Sequence, residues 1–128
     1  MRLLGIDYGT KRVGVALSNE DGTMAFPLDV LRNDDSLVEK LVGVIEENSV
    51  EKLVIGHSLD QKGEENPVQK GAYELMNDLT LQTGLPIELE PEQYSTQEAL
   101  RVQGRGEKTD ASAAAIILNS YITRTKKD

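Results

Sequence analysis

Apolar positions near the start of the chain alternate with small or polar ones. Leu3 to Asp7 and Val13 to Ser18 both read as strands, the second with Val13, Val15 and Leu17 set against Gly14, Ala16 and Ser18. Tyr8-Gly9-Thr10-Lys11 joins them as a tight turn. A second turn, Asp21-Gly22, leads into an extended stretch from Met24 to Leu31. Pro27 suits an edge strand there, because proline has no N–H to give a ladder. The first third therefore predicts an antiparallel three-stranded meander.

The period then lengthens. Ser36-Leu37-Val38-Glu39 predicts a capping box opening a helix whose Leu37, Leu41, Val44 and Ile45 share one face. Lys52 to Gly56 reads as a short buried strand. Asn66-Pro67 starts a second helix with proline at its first position; Val68, Ala72, Leu75 and Leu79 form the apolar stripe, and Gly84 ends it. Pro86 to Glu90 is a fifth strand. Ser95-Thr96-Gln97-Glu98 is a further capping box, for a short helix running into Gly104-Arg105-Gly106. A last helix spans roughly Asp110 to Thr123, with Arg124 to Asp128 as a frayed tail. Right-handed helical crossovers place the last two strands parallel to the first. The expectation is an α/β fold, a five-stranded mixed sheet with helices on both faces, with residues 1–128 as a single domain.

Composition narrows the chemistry. A chain of 128 residues with 38% hydrophobic content is long enough for one core. No apolar run is long enough to span a bilayer and no signal-like segment opens the chain, so a cytoplasmic protein without a membrane partner is expected. Cysteine is absent and His57 is the single histidine, which leaves carboxylates as the available metal donors and points to magnesium or manganese. The net charge of −8 argues against general affinity for nucleic acid, although a local basic rim suffices for a structure-specific enzyme.

Three carboxylates stand out. Asp7 ends a strand expected near the middle of the sheet, where an ionised group is costly unless paired or holding a cation. Glu92 follows the fifth strand. Asp110 opens the last helix, where Thr109 can cap and the helix dipole favours negative charge. Singly, Asp110 is explained by helix-start electrostatics and Glu92 by a solvated loop. Together, two at the same carboxyl edge of neighbouring parallel strands and one at a helix start, they are expected to converge on a divalent ion, as metal-assisted phosphodiester hydrolysis requires. Lys11 and Arg12 after the first strand, and Arg101, Arg105 and Lys108 before Asp110, are candidate nucleic-acid contacts. Glu39, Glu46, Glu47, Glu74 and Asp78 fall on the polar sides of the two middle helices, away from that rim. The Gly9-Thr10 turn also fits a nucleotide-phosphate binder, but 128 residues cannot supply the two lobes such proteins place around the nucleotide.

These residues resemble those of the YqgF (RuvX) family of Holliday-junction resolvases and pre-16S ribosomal RNA nucleases over nearly the whole chain. The likeness rests on Gly5 to Ala16, on Leu53-Val54-Ile55-Gly56, on Glu92 with Ser95 to Ala99, and on Asp110 to Leu118. It implies a ribonuclease-H-like fold, with Asp7, Glu92 and Asp110 at the acidic active-site positions. It also implies a hydrolase that processes the 5′ end of pre-16S ribosomal RNA or resolves branched DNA, as a monomer or weak homodimer. Two blocks depart from the family pattern. Pro91-Glu92-Gln93 stands where the family reads Asp-Glu-Arg, and after Gly56 the chain carries Ser58 for a proline and Lys62 for an aspartate. The alternative is a non-catalytic relative that binds structured RNA or a protein partner.

Overall fold

The computed structural model describes residues 1–57, 67–91 and 109–125. Its first three strands, β1 (Leu3–Tyr8), β2 (Arg12–Ser18) and β3 (Ala25–Arg32), form the antiparallel meander. Helix α1 (Leu37–Glu47) returns the chain to β4 (Lys52–His57), and α2 (Pro67–Thr83) returns it to β5 (Ile87–Pro91). β4 lies parallel to β1, and β5 parallel to β4. The sheet order is β3-β2-β1-β4-β5, so β1 is central. A final helix, α3, spans Thr109–Thr125.

Strand alternation sorts the side chains into two layers. Leu4, Ile6, Val13, Val15, Leu53 and Ile55 are buried with Leu37, Leu41 and Ile45 of α1 and Ala72, Leu75 and Leu79 of α2. On the other face Leu3, Ala16, Ala25 and Val54 are buried with Ala114, Ile117 and Leu118 of α3. Each fully buried leucine or isoleucine stabilises the fold by about 1.5–3 kcal/mol relative to an exposed one. Gly5 gives α3 its seat on β1. A Cβ there would stand 2.8 Å from Leu118 Cβ and 3.0 Å from the Ala114 carbonyl oxygen, so only glycine allows so close an approach.

Helix and strand boundaries follow the sequence reading within one or two residues, with two corrections. Ser36 does not cap α1 through its side chain. Its hydroxyl and its backbone N–H both donate to Asp34 Oδ1, at 2.7 and 3.0 Å, so the acidic residue two places earlier organises the turn and orients the serine hydroxyl toward itself. The Ser36 hydroxyl, then its N–H, hold the Asp34 carboxyl below the usual carboxylate range. Arg124 belongs to the ordered last turn of α3 rather than to a frayed tail, because Glu90 of β5 binds it. Residues 126–128 lie outside the described residues, as does the short helix expected from Ser95. No helix among the described residues is long and apolar enough to cross a membrane.

Candidate active site

β1 presents Leu3 to the α3 layer and Gly5 to Leu118, so alternation places Asp7 on that same face. Asp7 is half-buried and pairs across the ladder with Gly14 of β2. It therefore sits at the carboxyl edge of the central strand, where charge is tolerated only with compensation.

The direction of α3 follows from its contacts. Ala114 and Leu118 lie over Gly5. Further along, Asn119 accepts a hydrogen bond from the Ala25 N–H at 3.0 Å and donates to its carbonyl at 3.4 Å. Ala25 pairs with Ser18, whose hydroxyl accepts from the Leu3 N–H at 2.7 Å, at the amino end of β1. The helix thus descends from the carboxyl edge toward the amino edge, and its first turn, Thr109 and Asp110, points up toward the edge that Asp7 occupies. Ala114 is one helical turn beyond Asp110, about 6 Å of rise. β5 leaves the sheet at that edge too. Glu90 is level with Gly56, the residue after the Ile6–Ile55 pair, and His57 pairs with Pro91, the last residue of β5.

Of the three acidic candidates, Asp7 and the backbone of Asp110 are brought to one edge of the sheet, whereas Glu92 lies outside the described residues, immediately after β5. Among the described residues no three acidic or histidine side chains stand close enough to hold a metal. Lys11 and Arg12 are exposed beside the β1–β2 turn. They line an open cleft of about 580 Å³ together with Thr10, Val30, Arg32 and Asn33. Asn33 fixes this turn: its Nδ2 donates to the Gly9 carbonyl at 2.7 Å and its N–H to the Lys11 carbonyl at 2.9 Å. Arg101, Arg105 and Lys108 lie outside the described residues. The exposed Glu39, Glu46, Glu47, Glu74 and Asp78 sit on α1 and α2, the layer opposite α3, together with the exposed Lys40 and Lys70.

Residues that sequence reasoning missed anchor α3 to β5. Glu90, only 1% exposed, accepts from Ser120 Oγ at 2.9 Å and from Arg124. One alternation back, Glu88 takes hydrogen bonds from Lys52 and from the Tyr121 hydroxyl. The Lys52 and then the Tyr121 hydrogen bonds hold the Glu88 carboxyl below its ordinary range, and the same Glu88 contact raises Lys52. Burial first, then the bond to Glu88, pushes the Tyr121 phenol up. The signal in the sequence was Ile87-Glu88-Leu89-Glu90, whose alternation gives one strand face two carboxylates.

The chain has the ribonuclease-H-like arrangement of known resolvases. It superposes on Thermus thermophilus RuvC, solved in complex with a Holliday junction substrate, with a TM-score of 0.65 and 15% identity, over 97% of this chain and 95% of that one. Two relatives named "Putative pre-16S rRNA nuclease" align over nearly their full length. The one from Sulfurihydrogenibium is 32% identical over 96% of this chain and 90% of its own. The one from Maridesulfovibrio salexigens is 34% identical over 97% and 99%. The sequence profile of RuvX, described as Holliday junction resolvase, matches residues 1–124. The chain therefore belongs to the RuvX family.

Proposed function

We propose that this chain is an endonuclease that hydrolyses phosphodiester bonds in structured nucleic acid with the help of magnesium or manganese. The substrate favoured by its relatives' names is the precursor of 16S ribosomal RNA, cut toward its 5′ end; a Holliday junction comes second, from the RuvX description and the resolvase fold. The observation that carries the reading is the placement of Asp7 at the carboxyl edge of the central strand, on the face and at the end toward which α3 directs its first turn.

Asp7, Glu92 and Asp110 would hold the metal, and an oxygen-only donor set would fit a hard cation. A divalent ion held there would supply a more acidic water and neutralise charge on the leaving oxygen. The chain's own part is to carry Asp7 at a strand end and Asp110 at a helix start, so that little reorganisation is needed when charge develops. Lys11, Arg12, Arg101, Arg105 and Lys108 hold the substrate backbone without reading its sequence. The enzyme acts in the cytoplasm, where the precursor is made, as a monomer or weak homodimer.

The test is cleavage of a pre-16S precursor and of a four-way DNA junction by purified protein with magnesium or manganese. Cutting is expected to vanish on chelation and to fall at least a hundredfold in Asp7→Asn. If neither substrate is cut, or Asp7→Asn cuts like wild type, the reading is wrong. Pro91 and Gln93, in place of an acid and an arginine, favour a second reading in which the chain binds structured RNA or a protein without cutting. Binding that ignores divalent ions and survives Asp7→Asn distinguishes it.

A further inference from the structure

Arg12 and Arg32 are direct partners in the β2–β3 ladder. The bond from the Asn33 N–H to the Lys11 carbonyl flanks that pair, which makes it a non-hydrogen-bonded one, the narrow kind with Cα atoms about 4.5 Å apart and side chains at their closest. Like charges directly opposite are destabilising. Both side chains are exposed, and the neighbouring Lys11 adds a third cation to the same end of the sheet.

The face on which they stand is fixed by alternation. Val13, Val15 and Leu31 pack toward α1 and α2, so Gly14, Val30, Arg12 and Arg32 belong to the α3 face. Asp7, Gly14 and Val30 form one row across β1, β2 and β3 on that face. The two arginines form the next row toward the carboxyl edge, with Arg12 about 7–8 Å diagonally from Asp7 at the Cα level and Arg32 one strand further out on β3. The sheet thus sets two arginines directly opposite each other on the same face as the candidate catalytic carboxylate, Arg12 one pleat repeat from Asp7 and Arg32 beyond it on the edge strand.

The geometry points to a phosphate-binding subsite formed by Arg12 and Arg32, which grips a phosphodiester of the substrate strand close to the one that is cut. The inference rests on the nuclease reading and adds Arg32 to it, together with the chemistry it recognises. Each planar guanidinium fork can donate two hydrogen bonds to phosphate oxygens, so two that stand opposite each other on one face suit a phosphodiester better than a single lysine would. Asn33 keeps the pair in register by tying the end of β3 to the β1–β2 turn.

The experiment measures binding of a fluorescent pre-16S hairpin and of a four-way junction to the full chain without divalent ions, so that no cutting intervenes, over a range of salt. Arg32→Gln is expected to bind roughly fivefold to twentyfold more weakly near 0.1 M salt, with the slope of log affinity against log salt reduced by about 1. Arg32→Lys is expected to restore the slope but only part of the affinity, since a point charge lacks the fork. Lys40→Gln, an equal charge change on α1, is expected to leave both unchanged. In cleavage assays Arg32→Gln should raise KM more than it lowers kcat. If Arg32→Gln binds with the affinity and slope of wild type, or Lys40→Gln weakens binding equally, the subsite is refuted while the nuclease reading stands. If wild type binds but does not cut, the nuclease reading falls and the subsite survives on its binding data. If wild type does neither, both fall.

Discussion

Arg124 reaches from the last turn of α3 to Glu90 on β5 and donates to the same carboxylate oxygen from Nε at 3.0 Å and Nη2 at 2.7 Å. Glu90 is 1% exposed while the Arg124 side chain is 56% exposed, so one partner is stranded in the interior if the other is removed and the converse is not true.

Arg124→Ala should therefore destabilise more than Glu90→Gln. A buried carboxylate losing its cation costs about 2–4 kcal/mol, discounted here because water can reach the vacated position. Glu90→Gln keeps an acceptor for Ser120 and should cost about 1–2 kcal/mol. Urea midpoints of the two variants check the order; equal losses, or a larger one in Glu90→Gln, contradict it.

Gly5→Ala tests the seat of α3. The added methyl meets Leu118 Cβ and the Ala114 carbonyl, neither of which is the far end of a flexible chain, so helix and strand must part by a few tenths of an ångström. Overpacking of this kind costs about 1–3 kcal/mol. The same shift moves the start of α3 relative to Asp7, so cleavage should fall further than the lost stability explains. Thermal melting and cleavage rate measured at a temperature where the variant is fully folded separate the two effects.

The Lys52–Glu88–Tyr121 cluster sets a pH window. Glu88 is lowered from its ordinary value of 4.5, so its contribution is present above that value and lost as pH falls through the folded one. Lys52 and Tyr121 are raised from 10.5 and 10.0, so theirs are present below those values and lost as pH rises through the folded ones. Stability should be flat between and decline at both ends. Glu88→Gln should shrink both declines; the acid one persists in part because Asp34 is also lowered. Urea midpoints at closely spaced pH values decide, and an unchanged alkaline decline in Glu88→Gln rules the cluster out as its cause.

Much of the framework was legible because each element announces itself locally. Alternation marks β1 and β2, proline and glycine bracket α2 at Pro67 and Gly84, and Pro27 marks an edge strand, which β3 is. Asp7 was legible as a costly charge on the central strand, and the paired blocks around it and Asp110 were enough for the family. What stayed hidden depends on which helix covers which face. The roles of Glu88, Glu90 and Arg124 arise only when α3 crosses to β5, and the Arg12–Arg32 pairing requires a register that no local signal specifies. Ser36 was misread because a capping pattern says nothing of the competing Asp34 two residues earlier.

The ladder between β2 and β3 shifts at Val15–Ala16: Ala16 pairs with Pro27 and Val15 with Asp29, leaving Leu28 as an extra residue. Ala25 and Arg32 are seven positions apart, an odd number, and in a regular strand would look in opposite directions. The spare residue resets the phase of the strand between them. Ala25 can thus be clasped by Asn119 beneath α3 while Arg32 stands beside Arg12 on that same side, so the anchored foot of the strand and its charged tip obey separate counts.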